Sequence, residues 1–532
     1  MNKLSAPVSA ENCFGKALRD KGQRRVPAPP HRITGCIMLR YLFQTTPLSI
    51  KVTASTDKAG RRIKKMAPKF GTSGLRGLVI ELTPELIEDY VHAFLQVCPM
   101  GSGLFVARDL RQSSPDIASW VIATARRAGY HVTDCGAAPT PALALAAMEA
   151  GAASIMITGS HIPADRNGLK FYLPSGEISK YDELNIVSAL DKVKGGDHSE
   201  LGQITQLNVG PYWVERYVQA FGATSLKGIR IGVWSHSSVA RDLLLDVLTR
   251  MGARTVELGR SDDFIPVDTE AVPSWAREKI VEWCKEYSLD ALVSTDGDGD
   301  RPLLADSAGN LVLGDILGQI TARVVGAEVV VTPISSNSGV EAIKCFKKVV
   351  RTRIGSPFVI AGMQQAGDRV IGYEANGGFL LGFNANLPNG SMKALPTRDS
   401  LLPILAPLSL LITDNSLTNV VSKEPARFTA ADRLEAVPSD LANDLIQQWE
   451  RNPSYLASFF EELGETPKDI NVIDGLRITL SSGKIAHFRP SGNAPELRIY
   501  VEAESLSAAE ALLRHSRRRL AEHFPEGNPP RK

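Results

Sequence analysis

Residues Ala291 to Pro302 read ALVSTDGDGDRP. A short apolar run ends in three carboxylates that alternate with glycines. Such a run, bounded by turn residues, is a buried strand feeding a tight loop, and it sets an α/β reading for the chain. Asp296, Asp298 and Asp300 can be aimed at one centre, because glycine turns the backbone without steric cost. Three close carboxylates repel unless a cation neutralises them, and hard oxygen ligands suit Mg²⁺ or Ca²⁺. An EF-hand is excluded: the sixth loop position is Arg301 rather than Gly and the twelfth is Ser307 rather than Glu. The phosphatase pattern D-x-D-x-T fails as well, since Asp300 stands where Thr is needed. A solvated acidic turn would not explain three aspartates closing on Arg301–Pro302 at a strand end.

The same strand-then-helix grammar extends outward in both directions. Upstream, LFVA reads as a strand, SPDIASWVIATARRAG as a helix with a Ser–Pro start and a Gly stop, and HVTDCG and ASIMITGS as further strands. A second round begins near Gly228 with IRIGVWS and the helical VARDLLLDVLTRMG, and a third near Gly314 with EVVVTPI and RVIGYEANGG. Repeated β-then-α units imply α/β domains with mixed, largely parallel sheets. The last hundred residues differ: GLRITLSSGKIAHFRPS reads as a hairpin, ELRIYVEA as a strand and SLSAAEALLRHSRRRLAEHF as a helix, an α+β pattern. GPYWVERYVQAF, Gly210 to Phe221, reads as a helical linker. The expected division is a basic leader over 1–65, then domains over 66–208, 209–310, 311–427 and 428–532.

Composition narrows the function classes. At 532 residues, with 43% apolar and 22% charged side chains, the chain is of ordinary globular type and long enough for several cores. Its first 65 residues hold fourteen Lys/Arg against three Asp/Glu, a net +11 within a whole-chain +2, so the remainder is net −9. A mildly acidic body has no basic stripe for nucleic acid. The leader is Arg-rich but Pro-broken, and Met66 stands just before APKFGTSGLRG, so 1–65 reads as an over-extended start or a disordered leader. Six scattered cysteines form no CxxC pair, which fits a reducing cytoplasm. LLPILAPLSLLI, Leu401 to Ile412, is too short for a bilayer and carries two prolines, so no membrane role is expected.

Four further stretches carry chemistry. In TGSHIPADRNGLKF, Ser160 and His161 follow the apolar ASIMI, and Lys170 lies ten residues on. Ligands of α/β domains bind beyond the carboxyl ends of strands, so Ser160 projects where chemistry happens. Neighbouring side chains of an extended chain diverge, and no G-x-S-x-G elbow is present, so a hydrolase couple is not implied. In RPSGNAPELR, Arg489, Ser491, Gly492, Asn493 and Arg498 surround a short turn suited to phosphate. In GYEANGGF, Glu374 and Asn376 offer an acceptor and a donor to paired hydroxyls. In KFGTSGLRG, a glycine-rich loop presents Arg76. No GxxxxGK[ST], HExxH or GxGxxG after a strand occurs.

These five loops, in this order, resemble the α-D-phosphohexomutase superfamily over roughly Met66 to Phe524. The resemblance implies three related α/β domains and a C-terminal α+β domain, with an active-site cleft between all four. It implies that Ser160 is the phosphoserine and that Mg²⁺ lies between its phosphate and Asp296, Asp298 and Asp300. His161 would support the serine loop, Arg76 and Lys170 would flank the transferring phosphoryl group with Lys170 as acid/base, and Arg301 would add positive charge. Glu374 and Asn376 would grip sugar hydroxyls, and Arg489, Ser491, Gly492, Asn493 and Arg498 would hold the phosphate that is not reacting. The chain departs from the family at Ile162, where Asn is frequent, at Asn376, where Ser is frequent, and at Gly378, where many members have His.

The loops look most like those of bacterial phosphomannomutases. That implies interconversion of mannose 1-phosphate and mannose 6-phosphate by a cytoplasmic monomer or homodimer, with a hexose 1,6-bisphosphate as intermediate and activator. Phosphoglucomutase, or a dual-specificity enzyme, is the alternative within the class, and phosphoglucosamine mutase a more distant one. Outside it stand a non-catalytic sugar-phosphate binder and a metal-dependent phosphatase.

Overall fold

Apolar runs of four or five residues become strands wherever turn residues bound them, and the amphipathic stretches between them become helices. A computed structural model of the chain describes residues 68–71, 74–190, 200–491 and 495–524. The leader expected over 1–65 lies outside the described residues, as do Gly492 and Asn493.

The first sheet comprises β1 (Lys69–Gly71), β2 (Gly74–Leu78), β3 (Leu104–Arg108), β4 (Val132–Ala137), β5 (Ala153–Ile157), β6 (Arg166–Leu173), β7 (Gly176–Glu177) and β8 (Ile204–Gln206), in the order β1-β2-β6-β5-β3-β4-β8 with β7 beside β6. The second holds β9 (Arg230–Trp234), β10 (Arg254–Leu258), β11 (Ala291–Thr295) and β12 (Pro302–Asp306), in the order β10-β9-β11-β12. The third holds β13 (Val329–Pro333), β14 (Lys348–Thr352), β15 (Val370–Tyr373) and β16 (Phe379–Leu381). Beyond the ribbon of β17 (Ala385–Leu387) and β18 (Gly390–Met392), its last strand is β19 (Leu395–Asp399).

One unit recurs in all three sheets. A parallel trio, β4-β3-β5, β10-β9-β11 or β14-β13-β15, is extended by an antiparallel fourth strand, β6, β12 or β16. The sheets are therefore mixed, parallel at heart and antiparallel at the edge. This geometry places the site. The turn from third to fourth strand contains Ser160 in the first sheet, Asp296 to Asp300 in the second, and Glu374 to Gly378 in the third. All three lie at carboxyl ends of parallel strands, where α/β sheets hold ligands.

The fourth sheet, β20 (Phe428–Glu435), β21 (Pro467–Asn471), β22 (Leu476–Leu480), β23 (Ile485–Pro490) and β24 (Glu496–Ala503), is wholly antiparallel in the order β20-β24-β23-β22-β21. The helix Leu506–His523 packs on it, giving the α+β arrangement expected of this end.

One continuous apolar core runs from Phe105 in the first sheet through Val233 and Val293 to Ile371 and Leu405, while the C-terminal sheet has its own core around Trp449 and Phe488. The segment Gly210–Phe221, read as a linker, is part of the shared core. Its Trp213, Val214, Tyr217, Ala220 and Phe221 are buried, and the Tyr217 hydroxyl donates to Asp399 at 2.5 Å. Their spacing puts all five on one helical stripe, which neighbouring helices and the β17–β18 ribbon cover. Leu401–Ser409 is likewise a buried core helix. Among the described residues, no helix is long and apolar enough to cross a membrane.

Candidate active site

Ser160 follows β5 with φ of 53°, the left-handed region that costs a non-glycine residue of order 1 kcal/mol or more. Its surroundings hold that conformation. The Ser160 amide donates to Thr158 Oγ1 at 2.7 Å. Arg111, only 1% exposed, lies beneath the loop and uses all five of its N–H donors. Nη1 donates to the carbonyls of Pro163 and Arg166, Nη2 to those of Ser160 and Ile162, and Nε to Asp109, at 2.6–3.2 Å. Asp109 also accepts from Ser114 and Thr158. The Phe264 ring covers the guanidinium at 3.9 Å. Ile162 contributes its carbonyl to this clamp, so a side chain other than Asn can stand there.

His161 Nδ1 lies 3.0 Å from Arg301 Nη1 and 3.3 Å from Ser160 Oγ. Burial, then Arg301 and Arg76, depress the imidazole to about 2, so it is neutral. A guanidinium can only donate, so Nδ1 accepts from it and the ring proton sits on Nε2. The Ser160 hydroxyl instead donates to Asp296 Oδ2 at 2.7 Å. His161 Nδ1 is thus engaged by Arg301, while the Ser160 hydroxyl is turned to Asp296.

Asp296, Asp298 and Asp300 are fully buried, with ligand oxygens all within 4.8 Å of one another. Glycines make room for the turn: a Cβ on Gly297 would stand 2.8 Å from the Ser160 carbonyl, and Gly299 has φ of +73°. Lys170 reaches the cluster from β6, at 2.5 Å from Asp298 and 2.7 Å from Asp300, and Thr140 donates to Asp298 at 2.6 Å. Burial works against the charge of Asp298, but Lys170 and Thr140 hold its carboxyl well below the usual range. Burial and its two acidic neighbours push Asp296 well up. Asp298 Oδ1 and Asp300 Oδ1 have no hydrogen-bond partner among the described residues. Orphaned carboxylate oxygens converging at this distance fit an oxygen-liganded divalent cation.

A cleft of about 1270 Å³ opens beside this centre. Arg76 and His161 line it from the first sheet, Arg301 from the second, and Glu374, Asn376 and Arg398 from the third. Burial, with Arg301 next, lowers Arg76 to about 10. Burial also opposes the charge of Arg301, but Asp296 and Asp300 outweigh it and raise that group. Burial pushes the Glu374 carboxyl up. Asn376 Oδ1 accepts from the Gly378 amide at 3.0 Å and shapes its own turn, leaving the Nδ2 donor as its polar group for a ligand.

The C-terminal loop is only partly assembled there. Arg498 and Tyr500 line the cleft, but Arg489 and Ser491 do not. Arg489 is held 2.9 Å from Asp474, Arg498 bonds Glu496 at 3.0 Å, and the Ser491 amide donates to the Glu496 carbonyl at 2.9 Å. Each of these arginines thus has an acidic neighbour at its guanidinium.

Sequence reasoning missed Asp109, Arg111, Thr140, Glu177, Phe264 and Arg398. ARDLRQSSPD carried a signal, an acid and a base directly after a strand and before a helix. Arg398, ahead of an apolar run in LPTRDSLLPIL, carried another. Phe264 and Thr140 had none.

Comparison with known proteins extends the geometry. Four models of the phosphoglucomutase/phosphomannomutase family match in order: alpha/beta/alpha domain I over 67–195, domain II over 213–309, domain III over 308–428 and the C-terminal domain over 417–517. A phosphomannomutase of Sinorhizobium fredii is 45% identical over 84% of this chain and 98% of its own length. A phosphomannomutase of Salmonella muenchen is 42% identical over 83% of this chain and 93% of its own. The crystal structure of a phosphoglucomutase/phosphomannomutase family protein from Burkholderia thailandensis shares the fold, with a TM-score of 0.70 at 21% identity over 86% of this chain and 99% of that one. The family models span the serine, aspartate, glutamate and arginine loops that the four sheets present, and the chain belongs to the phosphoglucomutase/phosphomannomutase family.

Proposed function

We propose that the chain is a phosphomannomutase that interconverts mannose 1-phosphate and mannose 6-phosphate. The observation that carries this is the Ser160 hydroxyl, 2.7 Å from Asp296 at the edge of a buried three-aspartate cluster and beneath Arg301 and His161. The mannose substrate rests on relatives of that name at 45% and 42% identity. Domains over 66–208, 209–310, 311–427 and 428–532 would each contribute one loop.

Phosphate carried on Ser160 passes to the 6-hydroxyl of mannose 1-phosphate. The Oγ–P bond breaks, the O6–P bond forms, and the hydroxyl proton ends on Ser160. The mannose 1,6-bisphosphate turns within the cleft. Its C1 phosphate then returns: the O1–P bond breaks, Oγ–P forms again, and the Ser160 proton ends on O1, releasing mannose 6-phosphate. Lys170, beside both carboxylates, is the group placed to relay that proton. Arg76 and Arg301 offset the charge spread over the phosphoryl oxygens, where this chemistry gains most of its rate. Asp296, Asp298 and Asp300, with the Ser160 oxygen, would hold Mg²⁺, which when bound supplies a Lewis acid at the phosphoryl group. Glu374 and Asn376 would bind sugar hydroxyls. Arg489, Ser491, Gly492, Asn493 and Arg498 would hold the second phosphate, with Arg498 already in the cleft. Free thiols at Cys98, Cys135, Cys284 and Cys345 suit a cytoplasmic enzyme, working as monomer or homodimer.

The test is steady-state turnover of the 1-phosphates of mannose, glucose and glucosamine with MgCl₂. A higher kcat/KM for glucose 1-phosphate would make the chain a phosphoglucomutase. Phosphate release in excess of isomerisation would make it a phosphatase. Full activity in Ser160→Ala would end the phosphoserine scheme.

A further inference from the structure

Arg398 has no assigned role, and its environment is unusual for a buried charge. It is the penultimate residue of β19, is 3% exposed, and lines the cleft with Arg76, Arg301 and Glu374. Three acids surround it as ion-pair partners: Asp300 lies 3.1 Å from Nη2, Glu374 3.7 Å from Nη1 and Glu177 4.0 Å from Nε. Its Nε and Nη2 have no hydrogen-bond partner among the described residues. The Asp300 oxygen nearest to it already accepts from Lys170 at 2.7 Å. Buried donors are left without a hydrogen bond only rarely, and a catalytic role is one of the reasons for which they are.

The neighbouring glycine keeps this guanidinium where it is. A Cβ on Gly378 would stand 2.9 Å from Arg398 Cδ and 3.0 Å from Cγ. The backbone of Gly378 has no left-handed φ, so its lack of a side chain serves space rather than conformation. Arg398 therefore occupies the volume that a side chain at 378 would fill, on the side of the cleft where the aspartate and glutamate loops meet.

We propose that Arg398 is a further catalytic residue, which donates from Nε and Nη2 to the oxygens of the phosphoryl group passing between Ser160 and the sugar. The planar fork matches phosphate oxygens in two-point contact. Sharing Asp300 with Lys170 places a second cation at the transfer centre. The proposal rests on the phosphoserine reading above and adds a residue to it.

The experiment uses the full chain and three variants, Arg398→Gln, Arg398→Lys and Gly378→Ala. It measures kcat and KM for mannose 1-phosphate. By intact mass it also measures the rate at which Ser160 takes phosphate from glucose 1,6-bisphosphate. Arg398→Gln should lose about 10²-fold in kcat, the cost of removing one donor to developing charge, with KM changed far less. Phosphate uptake should slow in parallel. Arg398→Lys, with charge but no fork, should recover part of both. Gly378→Ala alters no charge and should lose about tenfold in kcat, as a misplaced contact does. Equal uptake and equal kcat in wild type and Arg398→Gln overturn the role of Arg398 alone. A rise in KM with kcat unchanged also overturns it, because uniform binding is not catalysis. Uptake without mannose turnover sinks only the mannose assignment. No uptake by the wild type sinks both.

Discussion

Two buried arginines, one under the Ser160 loop and one beside Asp300, are held in different ways. Arg111 places five donors on five acceptors, with an aromatic ring over its face. Arg398 is nearly as buried and pairs with Asp300 at 3.1 Å, yet its Nε and Nη2 make no hydrogen bond among the described residues. A satisfied guanidinium is architecture, since it has no donor left for a ligand. An unsatisfied one in a cleft is available for chemistry. Each is pressed by a glycine: a Cβ on Gly159 would stand 2.6 Å from Arg111 Cζ, and one on Gly378 would stand 2.9 Å from Arg398 Cδ. The same substitution therefore probes a fixed group in one place and a yielding group in the other.

The largest effect is expected at the clamp. Arg111→Lys should cost about 3–5 kcal/mol, because it leaves loop carbonyls and Asp109 short of donors in the interior. Thermal or urea denaturation measures this, and a loss below about 1 kcal/mol would mean that Arg111 does not hold the loop.

Acid comes next, and acts away from both arginines. Burial depresses His487 from 6.5 to about 4, and its ring nitrogen Nε2 donates to the Asp474 carbonyl at 2.7 Å. Between these values the unfolded chain binds the extra proton, so stability rises with pH. The contribution is fully present above 6.5 and is lost as pH falls toward about 4, on the order of 3 kcal/mol in all. Denaturation at pH 7.5 and 4.5 should show the fall, and His487→Gln should reduce it. Arg111→Lys should lose the same amount at both pH values, since a guanidinium does not titrate there.

The glycine pair gives the direct contrast. Gly159→Ala should cost about 2 kcal/mol, the penalty for overpacking a group that cannot move. Gly378→Ala should cost under about 1 kcal/mol, because Arg398 can shift, yet it should slow turnover. Equal stability losses would erase the distinction between the two arginines. Phe264→Leu should cost about 1 kcal/mol for the ring over Arg111. It should all but vanish in an Arg111→Lys background, since a double-mutant cycle isolates that pair.

Much of this protein was legible from one dimension. The strand ending in STDGDGDRP, the loop after ASIMI and the hairpin near the C-terminus each follow from local period and turn chemistry. Asp296, Asp298 and Asp300 lie together, as their alternation with glycines allows, whereas no spacing rule brings Lys170 onto them from another sheet. The role of Gly210–Phe221 was harder to see, because an amphipathic stripe shows that a helix buries one face but not what covers it. The positions of Arg489 and Arg498 depended on Asp474 and Glu496, acids whose pairing no spacing rule predicts.

By itself the sequence determined the repeated α/β units, the divergent C-terminal sheet and the residues able to carry a phosphate and a cation. Those properties depend on neighbours within a few residues along the chain. Only the tertiary structure decided that the Ser160 hydroxyl turns to Asp296 rather than to His161, that Arg111 is saturated, and that Arg398 is not. Hydrogen-bond satisfaction is a count of partners in space: the carbonyls that Arg111 holds lie 49 to 55 residues away, and Ser160 reaches Asp296 across 136.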